Sequence, residues 1–139
     1  AIHVRAPLIL GTEFAKNINS KNDTQGNIIN MLDKNISRNS TQFFYYLLSK
    51  KTLDNLTKML AMKFSPNIRV NAIAPGYILD DGFIAGSPQL SQKIIDDVPL
   101  KRKGDVKNIT NSIDFIINND YLTGQTLFID GGASLNLSK

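Results

Sequence analysis

Two spacings of apolar residues alternate along the chain. Leu8, Leu10, Phe14 and Ile18 recur at helical intervals and predict a helix from about Pro7, near its start, to Asn19. The polar stretch from Asn19 to Gly26 reads as a surface loop. Ile28 to Leu32 is a short, mostly apolar run after Gly26, the pattern of a buried strand. A loop from Lys34 to Ser40 follows, and Ser40 or Thr41 is placed to cap the next helix. That helix is predicted over Thr41–Phe64, with Phe44, Leu48, Leu56, Met59, Leu60 and Phe64 on its core face. Ser65-Pro66-Asn67 ends it, Ile68 to Ile73 reads as a second strand, and Pro75-Gly76 makes a sharp turn. Leu79 to Gly86 has the composition of a flexible segment. Ser87-Pro88 opens a short helix to about Asp97. Asp105 caps another that runs to about Asn118 and buries Val106, Ile109, Ile113 and Ile116 or Ile117. Gly124 to Ile129 is the last strand, closed by Asp130-Gly131-Gly132.

The resulting order is α, β, α, β, α, α, β. Strands alternating with helices predict an α/β domain with a parallel sheet covered by helices. Three strands are few for a doubly wound sheet, which binds a dinucleotide through a glycine-rich turn after its first strand. No G-x-G-x-x-G occurs in the sequence, the chain opens on a helix, and no Met stands at position 1. The expectation is that residues 1–139 form a partial domain whose N-terminal dinucleotide-binding βαβ units are missing.

Composition narrows the chemistry by exclusion. The net charge of +4 raises the question of nucleic acid, but the basic residues are scattered and the densest cluster is only Lys101-Arg102-Lys103, so no nucleic-acid partner is expected. Cysteine is absent and His3 is the single histidine, so a thiolate nucleophile and a Cys- or His-cluster metal site are excluded. There is no apolar run of eighteen residues and no signal-peptide pattern at the start. No membrane span is expected, and the cytoplasm is the default compartment.

Tyr46 and Lys50 are four residues apart on the long predicted helix and share one face. A phenol with its ordinary pKa near 10 is a weak acid at neutral pH, and a neighbouring ammonium favours the phenolate. The pair is therefore a candidate for proton transfer. A surface tyrosine beside a solvated lysine has the same spacing.

The surroundings of the pair carry more information. Tyr46-Leu47-Leu48-Ser49-Lys50 is followed by Leu53, Leu56, Thr57, Leu60 and Ala61, and then by Ile68-Arg69-Val70-Asn71-Ala72-Ile73-Ala74-Pro75-Gly76. The series resembles the short-chain dehydrogenase/reductase family, in which a Y-x-x-S-K helix precedes an I-R-V-N-x-I-x-P-G strand and turn. The closing run from Tyr121 to Gly132 (YLTGQTLFIDGG) is similar to the last strand and D-G-G end of that family. The resemblance covers nearly the whole chain. It implies the C-terminal, catalytic half of a Rossmann-like nicotinamide-dependent reductase. Tyr46 would donate a proton to the carbonyl or imine, and Lys50 would lower the tyrosine pKa and bind the nicotinamide ribose. Met31 and the turn of Pro75, Gly76, Tyr77 and Ile78 would hold the nicotinamide. The opening and long helices, 7–19 and 41–64, would pair in a homo-oligomer of tetramer type.

One position departs from the common family pattern. Most members carry a serine thirteen residues before the tyrosine, where this chain has Asp33; Ser37 and Ser40 lie in the following loop. The pteridine reductases and bacterial dihydromonapterin reductases look similar at this strand end, and the latter also resemble the opening Ile2 to Leu10, with a histidine where most of the family has asparagine. The resemblance implies a pterin substrate, NADPH with NAD as the alternative, and Asp33 as a third catalytic residue. Asp33 would hydrogen-bond the amino edge of a pterin or relay a proton, and Lys50 would offset its effect on the phenol. His3 reads as a structural residue at a helix start. Two other readings stand beside this one. The chain could be a non-catalytic remnant that acts at most as an oligomerisation module unless a complementing N-terminal half is supplied. It could also be a reductase of the 3-oxoacyl carrier-protein type, against which Asp33 argues.

Overall fold

A computed structural model describes residues 2–21, 25–78 and 88–135. Helix α1 spans Ile2–Asn19, strand β1 Gly26–Met31, helix α2 Phe44–Phe64 and strand β2 Ile68–Pro75. Helix α3 spans Pro88–Asp97, helix α4 Val106–Asn118 and strand β3 Thr126–Ile129. Short 3-10 turns occupy Lys34–Ser37 and Ala133–Leu135. The strands form one parallel sheet in the order β1-β2-β3. The predicted element order and fold class hold. The predicted flexible segment from Leu79 to Gly86, and Ser87 at the opening of α3, lie outside the described residues.

Strand β2 sits at the centre and organises both layers. Its side chains alternate between faces, as the period of two requires. Ile68, Val70, Ala72 and Ala74 pack beneath α1 and α2, against Ala15, Ile18, Leu53, Leu60, Ala61 and Phe64. Arg69 points the other way and donates to the carbonyl oxygens of Ile116 (3.0 Å) and Ile117 (2.9 Å) at the end of α4, and to that of Leu122 (2.9 Å). Its cation thus satisfies carbonyls that the last turn of a helix leaves free, at the negative end of the helix dipole. Asn71, fully buried, donates to the Leu122 carbonyl at 2.8 Å and accepts from the Gln125 amide at 3.0 Å. The polar pair in Ile68-Arg69-Val70-Asn71 is therefore a brace for the link between α4 and β3.

Two helix starts differ from the expected ones. Helix α1 begins at Ile2 and carries Pro7 inside it. Helix α2 begins at Phe44, because Phe43 adopts a left-handed conformation (φ 53°, ψ 38°) that breaks the helical path. Ser40 accepts from the Gln42 amide in a local turn and does not cap the helix. The buried face of α2 also differs: Leu47, Lys50, Leu53, Thr57, Leu60, Ala61 and Phe64 face inward. Phe44, Leu48 and Met59 of the expected core face are exposed. On α1, Gly11, Ala15 and Ile18 are buried, whereas Leu8, Leu10 and Phe14 are exposed. Small residues let α1 approach α2 closely, so the apolar residues beside them look outward. In α4 Ile116 is buried while Val106 and Ile117 are exposed. Asp105 does cap α4 as expected, in a capping box with Asn108.

Candidate active site

The carboxyl end of β1 and the first turns of α2 bring the candidate residues together. Asp33 follows β1 and caps the 3-10 turn: its Oδ1 accepts from the Asn35 amide at 2.7 Å. Its Oδ2 accepts from the Tyr46 hydroxyl at 3.0 Å. One turn along α2, Lys50 is buried and donates from Nζ to the Met31 carbonyl oxygen at 2.7 Å. Its Nζ lies 5.8 Å from the centroid of the Tyr46 ring. Asp33, Tyr46, Lys50 and the Met31 carbonyl thus form one cluster, on an open α/β sheet at the strand end where such sheets bind ligands.

The electrostatics correct one expectation. The Tyr46 phenol is pushed up to about 12 by burial first, then by the charge of Asp33 and by the hydrogen bond to it. Lys50 does not offset these effects. Burial also lowers the Lys50 pKa, with Asp33 acting in the opposite direction. The reason is geometric. The ammonium is turned to the Met31 carbonyl beneath the ring, while the carboxylate is in direct contact with the hydroxyl. In this arrangement the Tyr46 hydroxyl keeps its hydrogen and donates it to Asp33.

The turn after β2 is separate from this cluster. The Gly76 amide donates to the Ile129 carbonyl at 3.0 Å, and the Tyr77 carbonyl accepts from the Gly104 amide at 2.9 Å. A Cβ on Gly76 would lie 2.6 Å from Asp130 Cα, so the glycine is required by the close approach of β2 to the chain beyond β3. Tyr77 and Ile78 line a cavity of about 600 Å³ with Leu100, Asn108, Phe128 and Asp130. Neither Tyr46 nor Lys50 reaches it. The sheet joins the two regions, since β1 and β2 end side by side and the Leu32 amide donates to the Ile73 carbonyl at 2.7 Å.

Sequence reasoning passed over the contacts that Ser49 and His3 make with Tyr46. Ser49 Oγ donates to the Tyr46 carbonyl at 2.6 Å and lies 2.9 Å from His3 Nδ1. The His3 and Tyr46 rings meet edge to face, with centroids 5.6 Å apart. No local spacing signals a contact between residues 3 and 49, although the serine of Y-x-x-S-K was on view. Asn30 and Thr57 were also missed. Their buried side chains join at 2.9 Å between β1 and α2.

Comparison with known proteins gives the family. Residues 4–134 match the family model described as enoyl-(acyl carrier protein) reductase. The chain belongs to the short-chain dehydrogenase/reductase family. Dihydromonapterin reductase of Enterobacter sp. (strain 638) is 33% identical over 139 residues, a match that covers 97% of this chain and 55% of that protein. The Klebsiella pneumoniae dihydromonapterin reductase is 33% identical over 135 residues, covering 96% and 55%. Among solved structures, FolM alternative dihydrofolate reductase 1 from Brucella canis, complexed with NADP, superposes with a TM-score of 0.88 at 32% identity, covering 99% of this chain and 53% of that one. A 4-hydroxyisoleucine dehydrogenase mutant complexed with NADH and succinate gives 0.87 at 29% identity, covering 99% and 58%. The chain spans about half the length of the curated relatives it matches.

The family's nicotinamide cofactor can be tested against the residues present. The donor set suits the nicotinamide end: a buried ammonium that spends one of its three protons on Met31, and a phenol beside it. The described residues include no glycine-rich strand-turn-helix to receive a pyrophosphate. The fit is therefore to one end of the dinucleotide.

Proposed function

We propose that this chain supplies the catalytic half of an NAD(P)H-dependent reductase acting on a pterin or folate-related substrate. The contact of Asp33 with Tyr46 at 3.0 Å is the observation that carries the reading. A carboxylate replaces the usual serine at the strand end, and the similar proteins at 33% identity are dihydromonapterin reductases. A nicotinamide held beside Lys50 and Tyr46 would supply the hydride. Tyr46 gives its proton to the ring nitrogen or carbonyl oxygen of the substrate, and Asp33 either passes a proton to Tyr46 or binds the amino edge of the pterin. The phenol keeps its hydrogen bond to Asp33 before substrate arrives, so substrate must displace that carboxylate. Lys50, fixed by Met31, would hold the ribose, and the turn of Pro75, Gly76, Tyr77 and Ile78 would hold the nicotinamide. NADPH is the favoured cofactor, in line with the NADP complexes among the similar structures, and NADH is the alternative.

A complementing half belongs to this proposal. Among the described residues β1 pairs with β2 alone. Along α1 and β1 runs a groove of about 470 Å³ lined by residues such as Leu10, Phe14, Ile29 and Met31. Asn27 lines it as well, and its Oδ1 is buried without a hydrogen-bond partner. These features favour a further strand seated on β1. They also favour the second reading, in which 1–139 alone is an inactive oligomerisation module. Exposed Ile9, Leu10, Leu48, Met59 and Met62 on α1 and α2 suit pairing between copies.

The deciding experiment is NADPH-dependent reduction of dihydromonapterin and of a 3-oxoacyl thioester. Each is assayed with the 139-residue chain alone and together with the N-terminal half of a dihydromonapterin reductase. Pterin reduction in the complemented mixture, lost in Tyr46→Phe and Asp33→Ser, is expected. Thioester reduction with no pterin reduction, or activity retained in Asp33→Ser, defeats the pterin reading. No activity in any mixture leaves the oligomerisation module.

A further inference from the structure

His3, the single histidine of the sequence, is tied to the candidate proton donor by two independent contacts. The first fixes its tautomer. Ser49 Oγ has one hydrogen, and the 2.6 Å bond to the Tyr46 carbonyl uses it. The 2.9 Å contact between Ser49 Oγ and His3 therefore needs the proton on Nδ1. The second contact is the ring itself, whose plane stands at 84° to that of Tyr46.

Tyr46 needs such support. It lies in the first turn of α2, where helices fray, and its side chain is 41% exposed. The hydroxyl end is held by Asp33. From α1, the His3 ring meets the Tyr46 ring edge to face. We infer that His3 is a positioning residue for Tyr46, bracing the first turn of α2 through Ser49 and holding the phenol ring in line with Asp33. Its consequence for catalysis rests on Tyr46 being the proton donor, but the bracing itself is measurable without turnover.

The charge environment fits a neutral brace. Burial, then the positive charge of Lys50, lower the His3 pKa, so the ring is uncharged at neutral pH and Nε2 is left as an acceptor. The ionisable groups that face it among the described residues are Lys50 and Tyr46 on α2, with Asp33 reached through Tyr46.

The test uses the whole 139-residue chain. A single histidine gives one set of imidazole ¹⁵N signals, and the Nδ1–H tautomer is expected at pH 8. Ultraviolet titration, with Tyr46→Phe subtracted, follows the Tyr46 phenol. In His3→Ala its midpoint is expected to fall from about 12 toward 10 as the ring leaves Asp33. His3→Asn, which keeps an N–H donor, is expected to recover part of that shift. An Nε2–H tautomer in the unmodified chain overturns the proposal. So does a folded His3→Ala variant whose Tyr46 midpoint is unchanged. If His3→Ala fails to fold, the tautomer decides alone. Loss of pterin reduction in the assay above leaves this titration untouched, so the two readings fail separately.

Discussion

The Tyr46 hydroxyl donates to Asp33 Oδ2 at 3.0 Å, and this contact adds to burial in raising the pKa of the phenol. Exchanging Asp33 for asparagine keeps an acceptor for the Asn35 amide and removes the charge. The Tyr46 midpoint in Asp33→Asn is expected to drop from about 12 toward 10, read by ultraviolet difference titration against Tyr46→Phe. An unchanged midpoint would show that burial alone raises it.

The same shift makes stability depend on alkaline pH. A group with a raised folded-state pKa contributes stability that is complete below its unfolded value and lost as pH rises through the folded one. For Tyr46 that window runs from about 10 to about 12. Lys50, whose pKa is lowered, works in the opposite sense, since its buried charge weakens the fold until it is lost. Comparison with Tyr46→Phe cancels Lys50. The unmodified chain should lose melting temperature relative to Tyr46→Phe between pH 10 and 12, and parallel curves would refute the assignment.

Asp33→Ala removes the cap of the 3-10 turn as well as the charge. Loss of a cap of this type costs about 0.5–2 kcal/mol. Urea denaturation should place Asp33→Ala below Asp33→Asn by an amount in that range, because only the asparagine retains the bond to the Asn35 amide.

Arg69 and Asn71 hold the end of α4 and the start of β3. Arg69→Met leaves three carbonyl oxygens without their charged donor, and bonds to charged groups contribute about 1.5–3 kcal/mol. A destabilisation of at least about 2 kcal/mol in urea is expected. Asn71→Leu should lower stability as well, since it leaves the Gln125 amide without its acceptor and removes one of the two donors to the Leu122 carbonyl. A neutral Arg69→Met would mean that α4 is held by its apolar face alone.

Gly76→Ala separates packing from cofactor binding. The added methyl would meet the Asp130 backbone at 2.6 Å, and overpacking of this kind typically costs about 1–3 kcal/mol. A lowered melting temperature in the absence of any nucleotide is expected. Full stability with loss of nucleotide binding would instead assign the glycine to the cofactor.

Where sequence reasoning succeeded, the determinant was local or repetitive. The order of elements followed from apolar spacing and from the turn residues between runs. Asp105 announced its cap by position, and Tyr46 with Lys50 announced a shared helix face by their spacing. The family motifs placed Asp33 near Tyr46. What it misjudged was the direction in which side chains face. Leu48 and Met59 read as core because they are apolar, yet the buried face of α2 runs through Lys50 and Thr57. Lys50 is drawn inward by the Met31 carbonyl, and Thr57 by Asn30 and the Leu53 carbonyl. These partners lie on another strand or an earlier turn, and periodicity alone does not name them.

The sequence by itself determined the α/β order, the family and the identity of the clustered residues, because these depend on spacing and residue type along the chain. Only the tertiary structure decided the acidity of Tyr46. That quantity depends on which charged group touches the hydroxyl. The carboxylate of Asp33 reaches it directly, while the ammonium of Lys50, a single helical turn away in sequence, is held beneath the ring by a carbonyl of another strand. Interactions at this range fall steeply with distance and depend on burial, and both are fixed by packing among α1, β1 and α2.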